Sequence, residues 1–226
     1  SSTVDFYCAK KIFISIKKKF YLLCSIIINL GILFVFKYYN FFLESFIELF
    51  AISSDSSIMF VNLVLPIGIS FYTFQTLSYS IDVYNDKMKP ENNIINFFLY
   101  VSFFPQLVAG PIERASYLID QIKKDKLINM KIMDMGVSLI LVGLFKKIVI
   151  ADNLAYYVDD IFANYQIYDG GVLILGLVYF SFQIYCDFSG YSDIAIGIAR
   201  LFGIELNLNF RFPYHSKNIS EFWNRR

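Results

Sequence analysis

The sequence predicts an all-α fold: a polytopic bundle of transmembrane helices that contains one broken or re-entrant segment. Hydrophobic residues make up 57% of the chain, charged residues only 17%, and the mean hydropathy is +0.52. Soluble domains carry about a quarter charged residues, so this surplus of apolar side chains indicates a lipid surrounding. We expect residues 1–226 to form one membrane domain, because no linker or internal repeat interrupts them.

Charge and cysteine content argue against several other classes of protein. The 20 basic residues nearly balance the 19 acidic ones, and no basic stretch carries a nucleic-acid-binding motif, so we expect no nucleic-acid partner. The 3 cysteines lie far apart and there is 1 histidine, which supports neither a zinc site nor a disulfide framework. We therefore expect no bound metal and no bound cofactor.

Five apolar stretches are candidates for membrane spans. They are residues 20–36, 56–81, 92–112, 135–145 and 170–186. A spanning helix needs about 20 apolar residues, which the longest stretches supply on their own. The shorter stretches can span if the charged side chains at their ends extend along the lipid to the headgroups.

The charges between the stretches orient them. Lysines before residue 20 place that side in the cytoplasm, and the acidic loop at 38–55 then lies outside. A full crossing by residues 92–112 would leave Arg114 and the four lysines after it outside as well. Because residues 103–111 contain two prolines and a glycine, we expect this segment to enter the membrane and return, against protein or a water-filled cavity.

Polar side chains within apolar stretches mark two candidate regions. Residues 66–80 carry hydroxyls and an amide on several helix faces, which either hold helices together or line a substrate tunnel. Residues 185–193 place Asp187 and Asp193 at the end of a span. Carboxylates there are functional candidates, and the alternative is that they cap the helix or pair with nearby arginines.

The C-terminal part contains three smaller signals. Ala195 and Ala199 are small residues spaced for close helix packing. His215 lies in a proline-containing loop, which is more typical of a solvated histidine than of a general base. Asn218 followed by Glu221 predicts a helix N-cap in preference to a glycosylation site. From these residues alone, a transporter built on broken helices fits as well as an enzyme.

Several blocks of sequence resemble the membrane-bound O-acyltransferase (MBOAT) family, most closely its branch of alginate O-acetyltransferase membrane subunits. In family order, these blocks are residues 65–75, 81–84, 103–112, 143–147, 150–154, 185–195, 209–214 and 219–223. The likeness extends from about residue 60 to the end of the chain. The block PQLVAGP at 105–111 favours the polysaccharide acetylases over the D-alanyl transferases.

The resemblance implies transfer of an acetyl group to a hydroxyl of an alginate-like exopolysaccharide, with acetyl-CoA or another acyl thioester as donor. In the family a histidine in a membrane tunnel is the general base. We expect that histidine in a Trp-His pair directly after Arg226, so His215 does not take its role and this chain alone is inactive. We also expect parts of the family's membrane core to precede Ser1 and to follow Arg226.

The family also guides the choice of site residues and partners. The residues expected to line the tunnel or the donor entrance are Tyr72, Gln75, Gln106, Asp187, Ser189, Asp193, Trp223 and Arg225. The expected partners are the bilayer of a bacterial inner membrane, the polysaccharide acceptor and a periplasmic or extracellular acetylase. Two other functions stay open: a transporter or flippase, and a non-catalytic scaffold that recruits a partner acetylase.

The re-entrant topology predicts the side from which two loop positions are accessible. Cysteines introduced as Ser116→Cys and Asn129→Cys should not react with an impermeant maleimide added to intact cells. Asp159→Cys, in a loop expected outside, should react and serves as the control. Reaction of both test positions from outside would contradict the predicted return of residues 103–111 to the cytoplasmic side.

Overall fold

The structure is a computed structural model, and its regular structure is helical throughout the described part of the chain, which confirms the all-α class. The described residues are 1–50, 66, 68–107, 110, 111, 113–126 and 129–225. The predicted stretch at 56–81 lies partly outside these residues, so only its second half can be compared with the structure. Its helix begins at Ile69.

The chain divides into two compact units, which are described separately. Unit 1 comprises Ser1–Val108 and Arg114–Lys124, and unit 2 comprises Ala109–Glu113 and Asp125–Arg226. That residues 1–226 act as one membrane domain remains a prediction.

Unit 1 contains six α-helices within its described residues. They are α1 (Ser2–Ile14), α2 (Lys18–Leu33), α3 (Tyr39–Leu49), α4 (Ile69–Tyr84), α5 (Ile94–Val101) and α6 (Ala115–Lys123). A π-helical turn, Phe34–Tyr38, joins α2 to α3, so that Lys18–Leu49 is one helix of 32 residues, long and apolar enough to span a membrane. The prediction of a loop at 38–55 is therefore wrong for Tyr39–Leu49, which is helical. The acidic residues there are spaced among aromatic side chains that continue the helix.

A buried polar cluster joins the first helices of unit 1. Asp5 on α1 accepts hydrogen bonds at Oδ1 from Ser25 Oγ and Asn29 Nδ2 on α2, both at 2.6 Å. Thr76 on α4 donates to Asn29 Oδ1 at 3.3 Å. A buried polar group is costly unless it is hydrogen-bonded, so these contacts favour one arrangement of the three helices.

The predicted break in residues 103–111 is confirmed in its described part, which excludes residues 108 and 109. Helix α5 ends at Val101, and a short 3₁₀ turn, Phe104–Gln106, follows it. Pro105 has no N–H to donate to the carbonyl of Val101, and a proline at such a position kinks or breaks an α-helix. Whether the segment returns to the cytoplasmic side of a membrane remains a prediction.

Two glutamines bind the carbonyl that the break leaves free. In a continuous helix the carbonyl of Tyr100 would accept from the N–H of residue 104. Here it accepts from Gln75 Nε2 at 2.9 Å and from Gln106 Nε2 at 3.2 Å, and both glutamines are only 2% exposed. The glutamines therefore satisfy a buried backbone group at the end of α5.

Unit 2 is built on two long helical stretches. Its elements are α7 (Met130–Leu144), a π-helical segment (Phe145–Ala151), α8 (Asp152–Ala163), α9 (Gly170–Leu201), a 3₁₀ turn (Pro213–His215) and α10 (Ile219–Asn224). Helix α9 is the second helix long and apolar enough to cross a membrane. The side chain of Asn218 accepts from the N–H of Glu221 at 2.8 Å, which confirms the predicted N-cap of α10.

Helices α7 and α9 approach each other closely because glycines face glycines. A Cβ added to Gly143 would lie 2.6 Å from the carbonyl oxygen of Gly190, and one added to Gly190 would lie 2.8 Å from that of Gly143. Gly136 and Gly197 make the same reciprocal contact seven residues away, at 2.9 and 2.6 Å. No other residue fits these positions without moving the two backbones apart.

The glycine contact predicts a specific loss of stability. Gly143→Ala places a methyl group against the backbone of α9 and should destabilise the protein by about 1–3 kcal/mol. Gly31→Ala is the matched control, because a Cβ there meets nothing within 4 Å and alanine favours the helix by about 1 kcal/mol. Thermal unfolding in detergent, followed by tryptophan fluorescence, measures both. Equal unfolding temperatures for the two variants would contradict the role assigned to the close approach.

Candidate functional site

An aromatic-lined cavity of about 330 Å³ lies between the middle of α9 and the segment at 210–222 of unit 2. We call it the aromatic pocket. It is lined by Ile184, Tyr185, Asp187, Phe188, Phe210, Pro213, Tyr214 and Phe222. A mostly apolar cavity of this size with one charged group on its wall is typical of a small-molecule site.

Ring contacts hold the walls of the pocket together. The ring of Tyr185 lies 5.9 Å from that of Phe210 and 5.3 Å from that of Tyr214. Phe188 contacts Phe210 edge-on at 5.2 Å. The hydroxyl of Tyr214 donates to the backbone carbonyl of Ser181 at 2.6 Å. Edge-to-face rings at these distances attract one another beyond simple area burial, so the segment is fixed against α9.

Asp187 is the charged group of the pocket, and a lysine holds it. Lys147 Nζ lies 2.6 Å from Asp187 Oδ1, and 2.8 Å from Asp152 Oδ1. The ring of Tyr191 lies 5.6 Å below the same ammonium group. Asp187 exposes 45% of its side chain, although its Oδ1 atom, which faces Lys147, is buried.

A second ion pair lies alongside, formed by the neighbouring lysine. Lys146 Nζ lies 2.6 Å from Asp193 Oδ2 and 2.9 Å from the hydroxyl of the buried Ser189. Consecutive residues of a regular helix point about 100° apart. The wider π-helical segment lets both lysines reach α9, and such segments are frequent at functional sites.

The structure thus brings together three of the eight predicted site residues. Asp187, Ser189 and Asp193 lie on α9, and all three contact the paired lysines. Gln75 and Gln106 lie in unit 1, where both bind the carbonyl of Tyr100. That any of them lines a tunnel remains a prediction.

Three predicted residues remain to be placed. Tyr72 is half-buried on α4. Trp223 exposes 59% of its surface on α10, where its ring meets that of Phe222 at 5.5 Å. Arg225 follows α10 and donates from Nε and Nη2 to Glu221 Oε1 at 3.0 and 2.7 Å.

Hydrogen bonds hold both ends of α10. The backbone N–H of Lys217 donates to Glu221 Oε2 at 2.8 Å. This bond and the guanidinium of Arg225 hold the pKa of the Glu221 carboxyl below its usual value. The N–H of Arg211 donates to the carbonyl of Arg225 at 2.7 Å, so the C-terminal end of α10 is joined to the segment that forms the pocket wall.

Sequence reasoning missed several polar residues. The buried carboxylate of Glu113 accepts from both the N–H and the side-chain amide of Asn207. Gln183 Oε1 is buried without a hydrogen bond among the described residues. An acid directly after the broken segment and an amide inside an apolar run were the available signals. Within the described ranges, no three His, Cys, Asp or Glu side chains are grouped closely enough to hold a metal ion.

Comparison with known proteins shows what the chain is similar to. Residues 91–225 match the membrane-bound O-acyltransferase family. The chain is 39% identical over 205 residues to the probable alginate O-acetylase AlgI of Pseudomonas aeruginosa, covering 91% of this chain and 39% of that protein. It is 36% identical to the peptidoglycan O-acetyltransferase of Helicobacter pylori, covering 92% of this chain and 44% of that protein.

A further relative is the teichoic acid D-alanyltransferase of Streptococcus thermophilus, at 29% identity over 70% of this chain and 40% of that protein. The chain spans about two-fifths of the length of the curated relatives that it matches. The family match covers more than half of the chain and the likeness to the acetylases covers nine-tenths of it. The chain therefore belongs to the membrane-bound O-acyltransferase family.

Proposed function

We propose that the complete protein transfers an acetyl group from acetyl-CoA or another acyl thioester to a hydroxyl of an extracellular polysaccharide. The observation that carries this proposal is the aromatic pocket with its oriented carboxylate, in a chain of this family. Aromatic rings offer flat apolar surface to a sugar ring or to the donor's acyl arm. Asp187 offers an acceptor for a hydroxyl group.

The proposed chemistry is a single acyl transfer. The acceptor hydroxyl oxygen attacks the thioester carbonyl carbon, its proton passes to a general base, and the C–S bond breaks to release the thiol. The general base is the family histidine expected after Arg226. Asp187 accepts a hydrogen bond from a neighbouring hydroxyl of the acceptor and so positions the hydroxyl that attacks. Lys147 keeps that carboxylate in place.

The choice of acetyl over D-alanyl rests on the pattern of likeness. The chain is 39% and 36% identical to the two acetylases over more than nine-tenths of its length. It is 29% identical to the D-alanyltransferase over 70% of its length. The acceptor is then a glycan of the cell surface, with an alginate-like exopolysaccharide as the first candidate and peptidoglycan as the second.

The proposed location is a bacterial inner membrane, which the chain crosses several times. Lys18–Leu49 and Gly170–Leu201 support at least two crossings by length and composition. An acceptor outside the cell and a thioester donor inside it require such an arrangement. A periplasmic or extracellular acetylase is the partner that we propose.

The first test removes the proposed base. In the full-length protein, the histidine proposed as general base is replaced by alanine. Acetate released by mild alkali is then measured from exopolysaccharide and from peptidoglycan. The variant should lose acetylation of one fraction by at least about 100-fold. His215→Ala is the control, because His215 is exposed, and it should acetylate normally. Unchanged acetylation in the first variant would favour the scaffold or the transporter instead.

The second test separates the pocket carboxylate from its ion-pair neighbour. Asp187→Asn and Asp152→Asn each remove one carboxylate from Lys147, but only Asp187 lines the pocket. Loss of a charged acceptor should lower kcat/KM about 10- to 100-fold in Asp187→Asn, and Asp152→Asn should stay within about threefold of the parent. Equal losses in both variants would assign Asp187 to the ion pair alone.

A further inference from the structure

One end of unit 1 concentrates lysines from three separate parts of the chain. Lys17, Lys18 and Lys19 line a cavity of about 470 Å³ together with Tyr84 and Asp86. A second cavity, of about 450 Å³, is lined by the loop after α4 and by the end of α6. Its charged lining residues are Lys87, Lys89, Glu91, Asp120 and Lys123. We call the lysines of these two cavities the basic surface.

Most acidic residues near the basic surface form ion pairs with its lysines. Lys18 pairs with Asp86 at 3.1 Å, and Lys87 lies 3.8 Å from Asp82. Lys123 Nζ lies 2.5 Å from Glu91, which is buried. Burial would raise the pKa of Glu91, but the lysine and two backbone N–H groups outweigh it and lower that pKa below its usual value.

Three lysines of the basic surface remain exposed. Lys17, Lys19 and Lys89 are exposed and make no salt bridge within the part of the chain that the structure describes. Asp120 is the one acidic lining residue of the two cavities that no described lysine or arginine contacts within 4 Å. The surface therefore keeps an excess of positive charge available to a ligand.

Apolar side chains adjoin these lysines. Ile14 exposes 80% of its surface and Ile16 is fully exposed, directly before Lys17. The candidate span begins at Lys18, and Phe20 in its first turn is 60% exposed. Exposed isoleucines beside lysines are unfavourable in water. They are favourable where acyl chains cover the apolar groups and the ammonium groups reach the headgroups.

We propose that the basic surface binds the phosphodiester headgroup of an anionic phospholipid. Clusters of four to eight lysines or arginines next to a membrane span attract anionic lipid. A soluble phosphate would account for the lysines but would leave Ile14 and Ile16 uncovered, so the lipid is the ligand that satisfies both observations. The proposal does not depend on acyl transfer or on the aromatic pocket.

The test measures lipid binding to the full-length protein purified in detergent, by native mass spectrometry. Phosphatidylglycerol should bind at least about tenfold more tightly than phosphatidylcholine. Each lysine near an anionic surface contributes about fivefold, so Lys19→Gln with Lys89→Gln should weaken phosphatidylglycerol binding roughly 25-fold. Lys131→Gln with Lys217→Gln is the control of equal charge, on exposed lysines of unit 2, and should bind as the parent does.

Three results would overturn the proposal. Equal losses in the two double variants would show that only the net charge of the protein attracts the lipid. Equal binding of the two lipids would show that the charge of the headgroup does not determine binding. Displacement of phosphatidylglycerol by an equal concentration of inorganic phosphate would identify a soluble anion as the ligand. If the double variant does not fold, Lys89→Gln alone should bind about fivefold more weakly.

Discussion

The close approach of α7 and α9 is the constraint on which the candidate site depends. Two glycines on each helix bring the backbones together, and the reciprocal contacts of Gly143 with Gly190 and of Gly136 with Gly197 set the antiparallel register. That register places Lys146 and Lys147 beside Asp187, Ser189 and Asp193. Larger side chains at the contacts would separate the helices, and ion pairs at 2.6 Å leave little room for such a shift.

The charged groups beside the pocket are costly to bury, and ion pairs between them offset that cost. Each lysine contacts a carboxylate at close range, and none of these groups is left isolated. A carboxylate near the membrane is tolerable when a cation and hydrogen bonds neutralise it. Asp187 remains half-exposed towards the aromatic pocket, so the same pairing that makes it tolerable also orients it for a ligand.

Much of the helical architecture could be predicted from the sequence, because it follows from apolar length and local signals. The break follows from the missing N–H of Pro105, and the cap follows from the side-chain oxygen of Asn218. The functions of Gln75 and Gln106 could not be predicted in the same way, since the carbonyl of Tyr100 that they bind becomes available only when α5 ends nearby. The glycine pairs could not be predicted either, because their spacing has meaning only once α7 is known to lie against α9.

The π-helical segment at Phe145–Ala151 has a consequence for how the chain tolerates changes in length. A bulge of this kind accommodates one surplus residue without rotating the helix on either side of it. Deleting a single residue there would restore regular winding and let α7 and α8 keep their faces towards α9. Only one ammonium group could then project between the helices. The shortened chain would keep its helix packing but would lose one of the two lysine–carboxylate ion pairs with α9.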